Sequence, residues 1–185
     1  FVPMQYNTAL GFLFLGVSIL LALIWRGAWS VIAALPITLI GALTLFEYLF
    51  GVSLGIDELF MDHYITVETS HPGRIAPNTA VCFLFSGAAT ICAYVIRPAK
   101  RWTPWAGLLA SATLGLAFVA LSGYIADVES AYGWGQLTRM AVHTSVGFLI
   151  AGSAIYFVAL SASGPVFLAR LIWISARIGL TASGV

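Results

Sequence analysis

The sequence has very little charge and only one lysine. Charged residues make up 8% of the 185 residues, whereas soluble domains carry about 25%. So few charges cannot form the surface of a water-soluble domain, and this class is excluded. The lysine, Lys100, lies in a basic stretch between two apolar runs. A retinal Schiff base needs a lysine buried among helices, so a rhodopsin-like pigment protein is excluded as well.

Basic clusters and paired cysteines are also missing. The eight lysines and arginines are scattered between apolar runs, without the stripe or patch that nucleic-acid binding requires. The two cysteines, Cys82 and Cys92, fall in one apolar run. Their separation corresponds to about 15 Å along a helix, so they cannot form a disulfide with each other there. We interpret them as small buried hydrophobic residues.

Long apolar runs dominate what remains. The hydrophobic fraction is 61% and the mean hydropathy is +0.99. Barrel strands would alternate apolar and polar residues, which these continuous runs do not. The sequence therefore predicts an all-α, polytopic transmembrane helix bundle with about five spans of about 20 residues each. The spans are expected roughly at Thr8–Trp25, Ser30–Phe50, Asn78–Ile96, Trp105–Ile125 and Met140–Leu160.

The charges indicate an orientation in the membrane. Two basic residues, Arg74 and Arg139, lie on one side of this layout, and all the others lie on the opposite side. Because basic residues mark the cytoplasmic face, we expect a bacterial inner-membrane protein with an outer chain start and a cytoplasmic C-terminus. The six residues on the cytoplasmic side are Arg26, Arg97, Lys100, Arg101, Arg170 and Arg177.

Two segments outside the spans carry apolar residues at helical spacing. In the long outer connection Gly51–Pro77 the pattern predicts an interfacial helix. Its apolar positions are Ile56, Leu59, Phe60, Tyr64 and Val67. Residues 1–160 are expected to form the membrane domain. Residues 161–185 carry two arginines on one face and are expected to form a cytoplasmic interfacial helix or a linker.

A ten-residue pattern occurs three times. The copies are Asn7–Gly16 (NTALGFLFLG), Asn78–Gly87 (NTAVCFLFSG) and His143–Gly152 (HTSVGFLIAG). The shared threonine, phenylalanine and glycine are four apart and lie on one helical face, where small residues allow close helix approach. Asn7 and Asn78 are predicted N-caps, with His143 in their place in the third copy.

Each repeat helix is followed by a second helix, which gives a helical hairpin of about 70 residues. The third copy lacks its second helix. A hairpin partner before Phe1 would bring the intact domain to about six spans, each of about 20 residues.

The candidate ligand-binding residues are polar positions near the predicted outer ends of the spans. The first choices occupy equivalent places in the repeats and are expected to converge. They are Asn7, Thr8, Asn78, Thr79, His143 and Thr144, with Glu47, His71 and Arg74 as second choices. A purely structural role for all of them is the alternative. We predict no catalytic residue and no cofactor in this chain.

Three of these positions, Glu47, His71 and His143, have a competing interpretation. Glu47 is the only acid inside a predicted span. It either gates a proton or cation, or reaches the interface, or pairs with Arg74 or Arg139. A metal site built from His63, His71 and His143 is conceivable, but these histidines lack a recognisable ligand spacing.

Four stretches resemble a known family. They are Val2–Gly16, Leu43–Phe60, Asp62–Gly87 and Arg139–Gly152. Together they resemble the N-terminal membrane region of many bacterial PAS-containing sensor histidine kinases and some diguanylate cyclases. The resemblance implies a sensory or anchoring input domain, attached to cytoplasmic signalling domains in the same chain, and a spanning helix before Phe1.

The partners expected from this resemblance are the lipid bilayer and a second copy in a homodimer. The alternative function is an accessory subunit of a membrane complex or a small transporter, with a bound lipid, quinone or haem.

Overall fold

The computed structural model describes residues 2–24, 28–61, 71–94 and 103–163. Within these ranges the regular structure is all helical, and they contain no β-strand. The helices are α1 (Tyr6–Ile24), α2 (Ala28–Phe50), α3 (Pro77–Tyr94), α4 (Thr103–Ala126), α5 (Glu129–Tyr132) and α6 (Val142–Ser163).

The helices confirm the predicted fold class. Four are long and apolar enough to cross a membrane: Tyr6–Ile24, Ala28–Phe50, Pro104–Ala126 and Val142–Leu160. A shorter apolar helix, Pro77–Ala93, lies where the third span was predicted. Large apolar side chains such as Leu20, Phe118 and Phe157 point outward, whereas several threonines and serines are buried. This inverted distribution suits a lipid environment, in which interior polar groups bond between helices.

The three repeat helices form the centre of the bundle. α1, α3 and α6 contact one another, α2 packs against both α1 and α3, and α4 packs against both α3 and α6. The repeat phenylalanines Phe12, Phe83 and Phe148 meet on one axis, with ring centroids 5.3, 4.7 and 4.9 Å apart. Equivalent residues therefore meet at equal height, so the three helices run in the same direction around an approximate threefold axis.

Repeat glycines make this meeting possible. A Cβ atom on Gly11 would lie 2.5 Å from the Phe83 ring, and one on Gly147 would lie 2.7 Å from the Phe12 ring. The rings of one helix thus rest on the bare backbone of the next. This is the close approach that the small residues of the repeat predicted.

The predicted interfacial helix in the connection Gly51–Pro77 is wrong for its described part. Residues 51–61 form turns and bends. Gly51 and Gly55 have φ angles of 63° and 72°, which are incompatible with a continuing right-handed helix. Tyr64 and Val67 lie outside the described residues, as does the predicted cytoplasmic segment beyond Ser163.

A glycine in α2 sets the spacing between α2 and α3. A Cβ atom on Gly41 would lie 2.6 Å from the Ala80 carbonyl oxygen and 2.7 Å from the Leu84 nitrogen. We expect Gly41→Ala to destabilise the protein by about 1–3 kcal/mol, because the two backbones must move apart. The midpoint of thermal unfolding in detergent would measure this loss.

The matched control for that variant is Gly115→Ala. A Cβ atom on Gly115 meets nothing within 4 Å, and the gain in helix propensity is the same. Equal melting midpoints for the two variants would show that α2 and α3 are not held at this distance.

Candidate functional site

The three repeat threonines converge on one small cavity at the end of the bundle where α1, α3 and α6 begin. We call this end the threonine end. Thr8, Thr79 and Thr144 are all buried, and they line the cavity together with Gln5 and Arg139. The cavity volume is about 10 Å³, which is room for about one water molecule. The expected convergence of these threonines is therefore found in the geometry.

Gln5 is a polar member of this site that the repeat pattern did not reveal. Its side chain is 5% exposed, and its Nε2 has no hydrogen-bond partner among the described residues. A buried donor without a partner costs about 1–3 kcal/mol. A water or another small polar molecule in the cavity would accept the missing hydrogen bond from Gln5 Nε2 and remove this cost. Extending the repeat by two residues toward the N-terminus aligns Gln5 with Ala76 and Ala141. A glutamine where the other two copies have alanine was the sequence signal for this site residue.

The asparagines of the repeat are not N-caps, and this prediction is wrong. The first helical bonds are accepted by the carbonyl groups of Gln5, Ala76 and Ala141, so the caps lie two residues before Asn7, Asn78 and His143. These backbone bonds set the start of each helix. Asn78 still contributes to the first turn of α3, since its Oδ1 accepts from the Thr79 amide nitrogen at 3.0 Å. The Nδ2 groups of both asparagines bond elsewhere.

Each asparagine instead ties a connection to the threonine end. Asn7 Nδ2 donates to the carbonyl oxygens of Ile56 and Asp57, both at 3.0 Å. Asn78 Nδ2 donates to the Tyr132 carbonyl oxygen at 3.0 Å. The equivalent His143 is exposed and does not join the threonine cavity. The predicted six-residue convergence is therefore limited to the threonines.

A buried ion cluster occupies the same end of the bundle. Arg74 Nε lies 2.8 Å from Asp57 Oδ2 and 3.4 Å from Glu47 Oε2. The Leu54 amide donates to Glu47 Oε1 at 2.7 Å, and Arg74 Nη2 donates to the Val52 carbonyl oxygen at 3.3 Å. Glu47 and Arg74 are 0% and 1% exposed. The interpretation in which Glu47 pairs with Arg74 is confirmed, and Asp57 is a partner that the sequence pattern missed.

The cluster explains the shape of the connection after α2. Gly73 has a φ of 69°, and a Cβ atom there would lie 2.6 Å from the Asp57 carbonyl oxygen. The tight turn at Gly73 therefore lets the chain before α3 return onto residues 52–57. Tyr48 braces it from α2, since its hydroxyl donates to the Ile75 carbonyl oxygen at 3.0 Å and its ring lies 5.4 Å from the Arg74 guanidinium.

Arg139 belongs to a second, more exposed ion pair. Its Nη2 lies 3.1 Å from Glu129 Oε2, so it pairs with the connection before α6 and not with Glu47. Nearby, Tyr124 and Tyr132 stack with centroids 3.9 Å apart, and the Tyr124 hydroxyl donates to the Met140 carbonyl oxygen. These contacts hold Arg139 at the edge of the threonine cavity.

The threonine cavity is closed on its inner side. Phe12, Phe83 and Phe148 follow the three threonines by one helical turn and fill the axis with their rings. The phenylalanines at the axis are 0% exposed in α3 and α6. Along the described length of the axis, the polar layer is thus shallow and ends on an aromatic layer.

The histidines do not assemble a metal or haem site within the described residues. No group of three histidine, cysteine, aspartate or glutamate side chains in these ranges could hold a metal ion. His71 and His143 are exposed, and His63 lies outside the described residues.

The fold and its buried groups define a helical membrane protein with a polar layer and an ion cluster at the same end. No protein-family model, curated protein or solved structure matches the chain.

Arg74 is expected to be the most sensitive position of the ion cluster. Arg74→Met leaves Glu47 and Asp57 as uncompensated buried charges, so we expect a loss of about 3–5 kcal/mol. The thermal midpoint and the expression level in membranes would report it. The control is Glu129→Gln, whose exposed pair should be worth about 1 kcal/mol or less. A similarly small loss of unfolding free energy for both variants would show that water reaches the charges of the cluster.

Proposed function

We propose that this chain is the membrane-embedded sensory or anchoring input domain of a bacterial signal-transduction protein of the histidine kinase or diguanylate cyclase type. Catalysis is assigned to domains outside this chain. The observation that carries the proposal is the shallow polar layer, in which side chains of α1, α3 and α6 meet around one cavity. The resemblance of four stretches to sensor-kinase membrane regions supports the same class.

The orientation follows from the charges. In the sequence, six of the eight basic residues fall in the segments that follow α1, α3 and α6. Because basic residues mark the cytoplasmic face, we infer that the end opposite the threonine end faces the cytoplasm of a bacterial inner membrane. The chain is then multi-pass, with the threonine end outside. A signalling partner in the same chain would follow α6, and a homodimer is the expected assembly.

The polar layer offers a path for a signal. A change in the hydration or occupancy of the cavity alters contacts with Thr8, Thr79 and Thr144 at the same time. Thr144 lies in the first turn of α6, and α6 runs from there to the opposite end of the bundle. A small displacement of α6 would therefore carry the change inward.

Conduction is the less favoured function. A transporter needs polar groups near the middle of the membrane, but below the threonines the axis is filled by the three phenylalanine rings. The intramembrane acid Glu47 is held in an ion cluster with Arg74 and Asp57. An accessory subunit is the second candidate, because the apolar groove between α1 and α6 would take a lipid or quinone chain if no protein segment covers it.

The reading frame and intact mass of the native protein test the proposal directly. We expect a product much longer than this chain, with a cytoplasmic kinase or cyclase domain after Val185. A product that ends near Val185 would overturn the signalling role. Spectra and co-purifying subunits would then test the second candidate.

The threonine layer itself can be tested through signalling output. Thr79→Val keeps the shape of the side chain but removes a hydroxyl group from the cavity. We expect it to change the basal kinase or cyclase activity of the full-length protein about fivefold, the effect of one hydrogen bond of about 1 kcal/mol. Activity in proteoliposomes would measure this.

Thr90→Val is the matched control in the same helix. Thr90 is also buried, but its hydroxyl donates to the Ser86 carbonyl oxygen within α3 and is remote from the cavity. We expect its output to stay within about twofold of wild type, since only an intrahelical bond is lost. Equal effects of both variants would assign the threonine layer a structural role.

A further inference from the structure

An apolar groove runs along the surface of the bundle between α1 and α6. Its volume is about 370 Å³, and among the described residues its lining comes only from these two helices, with Leu20, Leu23 and Ile150 among the exposed members. The other two gaps between the repeat helices are filled, one by α2 and one by α4. The groove is therefore the third of three equivalent positions around the axis.

The last glycine of each repeat indicates that a helix covers each of the three positions. Gly87 of α3 faces Thr38 of α2 so closely that a Cβ atom would overlap the threonine hydroxyl. Gly152 of α6 faces Leu114 of α4 at 3.0 Å. The equivalent Gly16 of α1 lines the groove and has nothing within 4 Å of its Cβ position.

The order of the helices identifies the direction from which the covering helix comes. In both filled positions, the helix on the glycine is the long helix that precedes the repeat helix in the chain: α2 before α3, and α4 before α6, with only the four-residue α5 between the latter two. These two pairs also make the most extensive helix contacts in the bundle. The repeated unit is thus an outer helix followed by a repeat helix, which revises the predicted hairpin order. α1 is a repeat helix whose outer helix would come before it.

The asparagine contacts give the same order. Asn7 binds the connection that follows α2, and Asn78 binds the connection that follows α4. The third equivalent residue, His143, is exposed. Its counterpart connection would follow the covering helix and lead to Val2, which is buried at the same end.

We propose that the groove seats a sixth membrane-spanning helix that precedes α1 in the full-length polypeptide. It would run antiparallel to α1 and α6 and place its side chains over Gly16. The alternative segment within this chain, residues 166–180, is less suitable. Its length as a helix is about 22 Å against a hydrocarbon thickness of about 30 Å. It also carries Arg170 and Arg177, whereas the groove lining contains no acid.

The accessibility of spin labels to oxygen in the full-length protein tests whether a helix covers the groove. Leu20→Cys places a label in the groove, and Trp29→Cys places the control label on α2. The two residues are 55% and 67% exposed. They lie at similar depth, because Ser18 of α1 bonds to Ser30 of α2 and the two helices run in opposite directions, so position 20 is level with positions 28 and 29. Both variants carry Cys82→Ala and Cys92→Ala and are reconstituted in phospholipid vesicles.

We expect the label at position 20 to collide with dissolved oxygen several-fold less often than the label at position 29. Equal collision rates would overturn the proposal. Protection that disappears on tenfold dilution with lipid would assign the groove to a second copy, and this too would overturn it. So would a disulfide within one chain between Leu20→Cys and Trp173→Cys, which would assign the groove to residues 166–180.

A pair of glycine variants gives an independent measure. Gly16→Leu and Gly115→Leu add the same side chain at two positions that both have open space around the Cβ. In the full-length protein we expect Gly16→Leu to melt about 5 °C below Gly115→Leu, since only the former meets a covering helix. Equal midpoints would contradict the proposal. Neither experiment depends on signalling output, so its outcome is separable from that of the proposed function.

Discussion

The contact of three phenylalanine rings on one axis is the interaction on which the rest of the bundle depends. Helices in lipid gain little from hiding apolar surface, so they associate through close packing. Phe12 and Phe83 achieve this by resting on Gly147 and Gly11. This contact fixes the relative height of α1, α3 and α6, and it thereby brings the three threonines together one turn away. The polar layer is a consequence of the aromatic layer beside it.

The ion cluster has a different role at the same end. Burying Glu47, Arg74 and Asp57 is costly unless each charge is matched and hydrogen-bonded. Here the arginine bridges two carboxylates, and backbone groups of Val52 and Leu54 add hydrogen bonds. Glu47 Oε2 has only its ion pair with Arg74 and no hydrogen bond among the described residues. The result is a connection fastened to the end of α2, close to the carbonyl groups that Asn7 binds. The cluster therefore stabilises the rim of the threonine cavity without entering it.

Much of this architecture could be predicted from the sequence, because it depends on features that a linear pattern carries. Apolar runs gave the helices to within a few residues, and the repeat indicated that Thr8, Thr79 and Thr144 would converge. Gln5 and Asp57 escaped prediction because their roles depend on contacts between distant parts of the chain. The asparagines were misassigned because their side chains satisfy carbonyl groups of other connections, which no local capping rule can foresee. The connection at residues 51–61 failed as a helix because the carbonyl groups of Ile56 and Asp57, which would accept its first bonds, bind Asn7 instead, and the Asp57 side chain is held by Arg74.

The seating of two of the three rings on glycines has a mechanical consequence. Phe83 of α3 lies on Gly11 of α1, and Phe12 of α1 lies on Gly147 of α6. α1 thus interlocks with both α3 and α6, whereas the equivalent position in α3 is Cys82 and not a glycine. If α6 turns about its own axis, Gly147 displaces Phe12, and α1 then moves against Phe83. A rotation of α6 is therefore coupled through α1 to α3.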